Sequence, residues 1–315
     1  MVLSRHKKLS RELLLRLLGT MIAFGVVAYL IWRNWSDFLN AIRRLPLGIL
    51  LIVLGLAFLS RLMVTLRWFI LLRVVEPGVT FWWVFRLSFV GLFSTNVLPS
   101  TIGGDIVKLG GGIQAGLDSA GVAASLVIDR LVGMATMATF LPFGIAPIIH
   151  VNAFRGSLAA GVTGQFFSKQ WHRWVNFINK TWKSLKLWLK KPSHLVGAAF
   201  FSYVHMACTF SMVAILLRGL SAPISWWTAG GLWVLVYFIT LIPVSINGLG
   251  LQEISLSLIY MSFAGISESN SLVLALLMRV FFIIASLPGA FFLPGVLSTY
   301  RKQSALIKEI GQIDE

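Results

Sequence analysis

The sequence predicts an all-α, polytopic transmembrane bundle of about eight spans, on three observations. Hydrophobic residues make up 57% of the 315-residue chain and its mean hydropathy is +0.84, whereas only 12% of residues are charged. A soluble domain carries about 25% charged residues, so this chain lacks the polar surface that water demands. Uncharged runs are also long: Leu195–Leu217 holds no charged residue over 23 positions, and about 20 mostly apolar residues cross a bilayer. Finally, Trp residues gather at the ends of such runs, as at Trp32 and Trp35, Trp82 and Trp83, and Trp226 and Trp227. A half-wet indole ring prefers the headgroup layer.

Taken in order, the first expected span is Leu13–Trp32. It follows a basic N-terminus, but it is too long for a signal peptide and no small-x-small cleavage pattern follows it, so it is expected to stay uncleaved. The next are Pro46–Leu66, Phe81–Leu98 and Ser119–Ile149, the last interrupted by Pro142 and Pro147. A weakly apolar, Gly-rich stretch, Val151–Phe167, precedes Lys169–Lys191, which carries seven Lys or Arg and no acid. In that second stretch Trp171, Trp174, Val175, Ile178, Trp182, Leu185 and Trp188 recur at helical spacing. This predicts an amphipathic helix lying on anionic lipid. Four spans close the chain: Ser193–Leu217, Ser225–Pro243, Leu251–Ile266 and Ser271–Leu297. Residues 1–315 are thus read as one integral membrane domain, with halves at 1–150 and 193–300 and a tail at 301–315.

Basic loops stay in the cytoplasm. The basic N-terminus, Lys169–Lys191 and Arg301–Lys302 are therefore expected inside, and loops 219–224 and 267–270, which lack Lys and Arg, outside. Eight spans satisfy all five; Arg33, Arg43 and Arg44 go against the rule. The location expected is the cytoplasmic membrane with both termini cytoplasmic.

Several function classes are excluded. The net charge of +16 sits in short flanking segments rather than on a soluble domain, so nucleic acid is not an expected partner. Cys208 is the sole cysteine, which excludes an intrachain disulfide and a cysteine metal site. His6, His150, His172, His194 and His205 show no ligand spacing, and neither metal nor cofactor is expected. Gly110–Ala115 formally fits a dinucleotide pattern but follows no strand, and no P-loop or recognisable Ser-His-acid motif is present.

An internal echo points to the chemistry. The third span ends in Asn96-Val-Leu-Pro99, followed by Gly103-Gly104-Asp105, and Arg130 stands 25 residues after Asp105. The sixth ends in Pro243, followed by Asn247-Gly248-Leu249-Gly250 and Glu253, and Arg279 stands 26 residues after Glu253. Pro, a Gly cluster, an acid and an intramembrane Arg occur twice in one order, on spans that run in opposite directions. That is the pattern of an inverted repeat with two broken or re-entrant segments. Half-helices starting after Gly104 and Gly250 would turn N–H groups and a positive dipole end toward a phosphate. The alternative is that Asp105 and Glu253 simply cap helix starts.

An Arg at a helix centre costs about 2.5–3.5 kcal/mol on insertion scales. Arg130 and Arg279 are therefore expected to pair with Asp105, Asp129 or Glu253, either as a phosphate-binding group or as structural ion pairs. Arg61, Arg67 and Arg86 lie nearer expected span ends, where they can snorkel to the interface. Arg61 and Arg67 are secondary candidates. The expected headgroup or phosphate contacts are Asn96, Gly103, Gly104, Lys108, Arg130, Asn247, Gly248, Gly250 and Arg279. Asp105, Asp129 and Glu253 are expected as charge partners or proton carriers.

These motifs (Arg67-Trp68, Asn96-x-x-Pro99, Gly103-Gly104-Asp105, Asp129-Arg130 and Gly248-Leu-Gly250-Leu-Gln-Glu253) resemble those of the lysylphosphatidylglycerol synthase transmembrane family, also called flippase-like domain proteins. The resemblance runs from the first span to the last. This chain has Lys108 where the family usually has Arg, and Ile246-Asn247-Gly248 where it usually has Pro-Gly-Gly. Lys keeps the charge without the bidentate fork, and Asn tolerates a left-handed turn.

The resemblance implies lipid handling, since larger relatives move an aminoacylated lipid beside a soluble synthase domain and others are linked to polyprenyl-phosphate sugar lipids or hopanoids. Here the chain ends 18 residues after its last expected span, so no attached synthase domain is expected. The function expected is a lipid translocase without its own ATPase, acting on a phospholipid or a polyprenyl-phosphate-linked lipid. The alternatives are a membrane-embedded lipid-modifying transferase or its lipid-presenting subunit, and a secondary transporter of a small anion. Expected partners are membrane lipids, a separate lipid synthase or glycosyltransferase, and, in a homo-oligomer, further copies of the chain.

Overall fold

The computed structural model describes residues 35–43, 45–97, 103–150, 188–241 and 248–295, with scattered positions between 25 and 33. Most of the expected first span, the stretch 151–167 and nearly all of 169–191 lie outside the described residues. Within them the regular elements are helices: α1 Trp35–Arg43, α2 Leu47–Leu72, α3 Phe81–Val97, α4 Gly103–Gln114, α5 Ser119–Ala138 and α6 Leu141–His150 in the first half, then α7 Pro192–Gly219, α8 Trp226–Thr240, α9 Leu251–Ala264 and α10 Glu268–Ser286.

Four helices are long and apolar enough to span: α2, α5, α7 and the stretch from Glu268 to Gly295 that begins with α10. Of the other expected spans, α3 has 17 residues, α8 15 and α9 14, and α4, which no expected span covers, has 12. They form two pairs, α3–α4 and α8–α9, whose connecting turns carry the repeated motif.

Local sequence explains where the helices begin and end. Asp118 caps α5 by accepting from the N–H groups of Ala120 and Gly121, Ser225 caps α8 at Thr228, and Ser267 caps α10 at Asn270. These short oxygen-bearing side chains satisfy first-turn N–H groups that lack helical partners. The expected fourth span is in fact two helices. It breaks at Thr139 and Phe140, just ahead of Pro142, because proline has no N–H for the Ala138 carbonyl four residues back and its ring crowds that carbonyl. In the other direction, α2 runs six residues beyond the expected end at Leu66 and buries Arg67, Trp68, Leu71 and Leu72.

Contacts along the bundle set the helix directions. Helices α2 and α7 are antiparallel: Gly219 faces Leu45 and Ile49 at one end, Ser60 meets His205 in the middle, and Gly197 faces Ile70 toward the other end. Antiparallel too are α3 and α4, which approach at Gly91 and Gly104, and α8 and α9, where the Tyr260 hydroxyl donates to the Ala229 carbonyl. Helix α10 runs against α3, with Phe292 on Phe85 and Asn96 on Ser286. Each of α2–α5 therefore runs opposite to its counterpart in α7–α10, the inverted arrangement expected from the repeated motif.

The main core joins α7, α8, α9 and α10 around fully buried Phe210, Leu232 and Tyr260. A smaller cluster packs Trp68 and Leu72 against Val84, Leu87, Val122 and Leu126. Outward-facing residues such as Leu51, Ile52, Val196 and Phe200 are apolar and exposed, as befits a surface solvated by lipid.

Glycines permit the closest helix approaches. A Cβ at Gly231 would lie 2.3 Å from the Gly144 backbone nitrogen and 2.4 Å from the Phe143 carbonyl carbon. Neither neighbour can rotate away. We expect Gly231→Ala to destabilise the protein by about 1–3 kcal/mol through overpacking. Gly55→Ala, on an open face with nothing within 4 Å, should instead stabilise it by up to about 1 kcal/mol through helix propensity. Thermal unfolding of both variants in detergent micelles checks the pair.

Candidate functional site

In each repeat the acid pairs with the arginine of its own motif. Arg130 Nε donates to Asp105 Oδ2 at 2.5 Å, joining α5 to the first turn of α4. Arg279 Nε donates to Glu253 Oε1 at 2.5 Å, joining α10 to the first turn of α9. The two pairs differ in access. The Arg130 and Asp105 side chains are 40% and 22% exposed, against 15% and 5% for Arg279 and Glu253.

The half-helices start where the glycines put them. Helix α9 begins at Leu251, directly after Gly250, and α4 begins at Gly103. Gly248 and Gly250 have φ of +66° and +76°, a region that penalises any Cβ. The Gly250 N–H donates to Glu253 Oε2 at 2.7 Å, and Arg279 Nη2 donates to the Gly248 carbonyl at 3.3 Å. Glu253 thus caps its helix and holds the arginine at once, so the two readings of this acid are one geometry. Asn247 lies outside the described residues. On the other turn, Gly104 packs against Gly91, where a Cβ would sit 2.6 Å from the Gly91 carbonyl oxygen, and buried Gly103 opens the helix.

A third ion pair lies between these turns. Arg67 donates to Asp129 through both Nε and Nη2, at 2.6 and 2.8 Å, and Nη1 donates to Ser202 Oγ at 3.2 Å. Its side chain is 10% exposed and that of Asp129 is 9%. Arg67 therefore does not snorkel to the interface. The fork geometry of a guanidinium on a carboxylate satisfies both charges inside the bundle, and α2 extends to hold it there. Arg86, by contrast, is exposed and lies 5.2 Å from the Trp82 ring, as a snorkelling side chain should. Tyr237 on α8 lies within electrostatic range of Arg67, Asp129 and Arg130.

The remaining candidates divide. Asn96 Nδ2 donates to Ser286 Oγ at 2.7 Å, tying the end of α3 to the last turn of α10. Lys108 is buried, with Nζ 4.7 Å from the centre of the Trp68 ring, so it braces α4 against α2. Arg61 stacks on Phe282 at 4.2 Å and is not ion-paired among the described residues. Sequence reasoning missed Ser202, Tyr237 and the pair Ser60–His205, whose Oγ and Nδ1 are hydrogen bonded at 2.7 Å. A signal existed for one of them: His205 stands near the middle of the uncharged run Leu195–Leu217, where an ionisable residue is costly unless it has a purpose.

Depth follows from helix position. Arg61, Asp129, Arg130 and His205 all lie within two residues of the midpoint of their spanning helices. At about 1.5 Å per residue, Asp105 sits about 14 Å from one end of the bundle and Glu253 about 16 Å from the other. The polar groups thus form a layer through the middle of an apolar protein.

These features define a multi-pass α-helical membrane protein whose two halves carry inverted hairpins with matching acid–arginine pairs. The chain belongs to the lysylphosphatidylglycerol synthase transmembrane family: the model of the lysylphosphatidylglycerol synthase TM region matches residues 16–289, which cover both halves. It is therefore a membrane protein of a lipid-related family. No curated protein matches the chain significantly.

The buried pair gives a direct test of what holds this layer together. Arg67→Ala leaves the Asp129 carboxylate buried and unpaired, and should cost about 3–5 kcal/mol. Replacing both residues by Leu should recover most of that loss, because no charge is then stranded. Chemical denaturation in detergent of Arg67→Ala, Arg67→Leu, Asp129→Leu and the double Leu variant measures the coupling.

Proposed function

We propose that the protein is a lipid translocase of the cytoplasmic membrane, without an ATPase of its own, that passes a phospholipid or a polyprenyl-phosphate-linked lipid between leaflets. One observation carries the reading. Two antiparallel helix pairs, α3–α4 and α8–α9, enter the bundle from its two ends, and the second helix of each presents a first-turn carboxylate bonded to an arginine. Backbone that breaks at membrane depth is tolerated where it is buried in protein or lines a wet path.

The more exposed pair, Arg130–Asp105, receives the lipid phosphate on one side. Arg279–Glu253 serves the other. A phosphate approaching either arginine competes with its carboxylate, so binding and release exchange one anion for another at little net electrostatic cost. Asp105 and Glu253 then hold the arginine between visits, meet a cationic headgroup, or carry a coupling proton. The lipid tails remain in the bilayer throughout, beside apolar faces that need no polar path.

Orientation rests on charge. The end that carries the α2–α3 turn, the start of α5 and Lys190–Lys191 is the cytoplasmic one, with segment 169–191 resting on anionic lipid and both termini on that side. The end at 220–225, free of Lys and Arg, faces outward. A separate synthase or glycosyltransferase supplies the lipid.

Two measurements test this. In proteoliposomes, Asp105→Asn, Glu253→Gln and Arg279→Ala should each slow movement of a headgroup-labelled phospholipid at least tenfold, with lipid extracts chemically unchanged. Wild-type rates in all three remove these residues from the transport path, absence of movement in the unaltered protein sinks the translocase, and a covalently altered lipid favours the transferase. In whole cells, a membrane-impermeant maleimide should label Ser221→Cys directly and Ser119→Cys only after permeabilisation. The reverse pattern inverts the orientation.

A further inference from the structure

Four arginines stand in the middle of this bundle, and one differs from the rest. Arg67, Arg130 and Arg279 each hold a carboxylate. Arg61 holds none among the described residues, and its buried Nε has no hydrogen-bond partner. Its guanidinium lies 4.2 Å from the Phe282 ring centre, where the π face offsets part of its charge. An arginine at mid-span without a counter-ion is expensive, and such residues mark ligand paths.

Its surroundings suit a transient anion. Arg61 follows Ser60, whose Oγ is bonded to His205 Nδ1, and the imidazole lies within electrostatic range of both Arg61 and Arg67. With Nδ1 engaged, Nε2 is the ring nitrogen left to meet a ligand. Phe282 stands three residues, one helical turn, after Arg279 on α10. On α2, Arg67 follows six residues after Arg61 and binds Asp129, the neighbour of Arg130 in α5. Arg61 therefore lies at about the depth of Arg130, on a helix that packs against both the helix of Arg130 and the helix of Arg279.

We propose that Arg61, with His205 beside it, is a mid-membrane anion station that holds a phosphate group on its way between Arg130 and Arg279. The inference rests on the translocase reading for its direction of travel, but the site itself requires only a phosphate. A lipid headgroup and free phosphate share that chemistry. Because no carboxylate of the protein competes there, the phosphate itself is the missing counter-ion. The station is occupied only in passage, and the protein accepts an unpaired charge between visits.

The test uses the full chain in detergent micelles, with dioctanoyl phosphatidylglycerol and inorganic phosphate as probes and dioctanoylglycerol as the uncharged control. Each probe's shift of the unfolding temperature is titrated. We expect Arg61→Gln to weaken the phosphatidylglycerol response at least tenfold and Arg61→Lys to weaken it less. Without probe, Arg61→Gln should unfold at a temperature no lower than wild type, since it removes a charge that had no partner. His205→Gln, which leaves every arginine in place, should weaken the response threefold or more. A response to phosphatidylglycerol alone assigns a lipid; a response to both probes assigns the phosphate group itself.

No response in wild type, wild-type affinity in both Arg61 variants, or a less stable Arg61→Gln protein with unchanged affinity overturns the inference. Loss of binding in Arg61→Gln while the unaltered protein moves no lipid in proteoliposomes leaves this station standing and removes the translocase assignment. Normal binding in Arg61→Gln with the motif variants inactive removes this station alone.

Discussion

The bidentate contact between Arg67 and Asp129 is the constraint on which the rest of the bundle depends. A charge in a lipid-solvated interior is tolerated only when its partner is held in good geometry and its other donors are satisfied. Here the fork reaches from α2 to α5, and its third nitrogen reaches Ser202 on α7. One guanidinium thereby sets the register of three spanning helices. Lipid offers no hydrophobic driving force between helices, so a directional contact of this kind decides which faces meet. Around it the packing is ordinary: Trp68, the next residue, is fully buried and donates its Nε1 hydrogen to Ser125 on the same α5.

Close backbone approach supplies the rest. The hairpin turns bring helices together at Gly91 and Gly104, and α6 meets α8 at Gly144 and Gly231. Small residues convert surface shape into dispersion contact where hydrophobicity no longer discriminates. At the second turn, Gly248 and Gly250 adopt left-handed backbone angles, so the chain turns sharply and exposes groups that Arg279 and Glu253 then occupy. The same glycines that bring the helices together therefore position the Arg279–Glu253 pair. Two halves of opposite direction present those charges from opposite ends, which is the symmetry that alternating exposure of a central site requires.

Much of this was legible in the sequence, for reasons that are local. Lipid as solvent follows from composition, and span positions follow from uncharged runs. The starts of α4 and α9 follow from glycine and from acids suited to a first turn. The pairing of Asp105 with Arg130 and of Glu253 with Arg279 was foreshadowed by a spacing repeated within one residue. That spacing carries information because a short helix, a turn and part of a neighbouring helix bring its two ends to one depth.

Other features depended on which helix faces which, and no local pattern encodes that. Arg67 read as a span-end residue because hydropathy cannot register a carboxylate 62 residues away that neutralises it. Lys108 was expected at a phosphate from charge and position, and no local pattern showed that the packing of α4 on α2 sets its Nζ over the Trp68 ring. Arg61 looked equivalent to Arg67, yet tertiary structure gave one a carboxylate and the other an aromatic ring. The sequence by itself determined the solvent, the spans and the two acid–arginine turns, because each is set by neighbours along the chain. Only the tertiary structure decided which buried arginines hold a carboxylate and which lies over an aromatic ring instead, because that depends on helix faces meeting across the bundle.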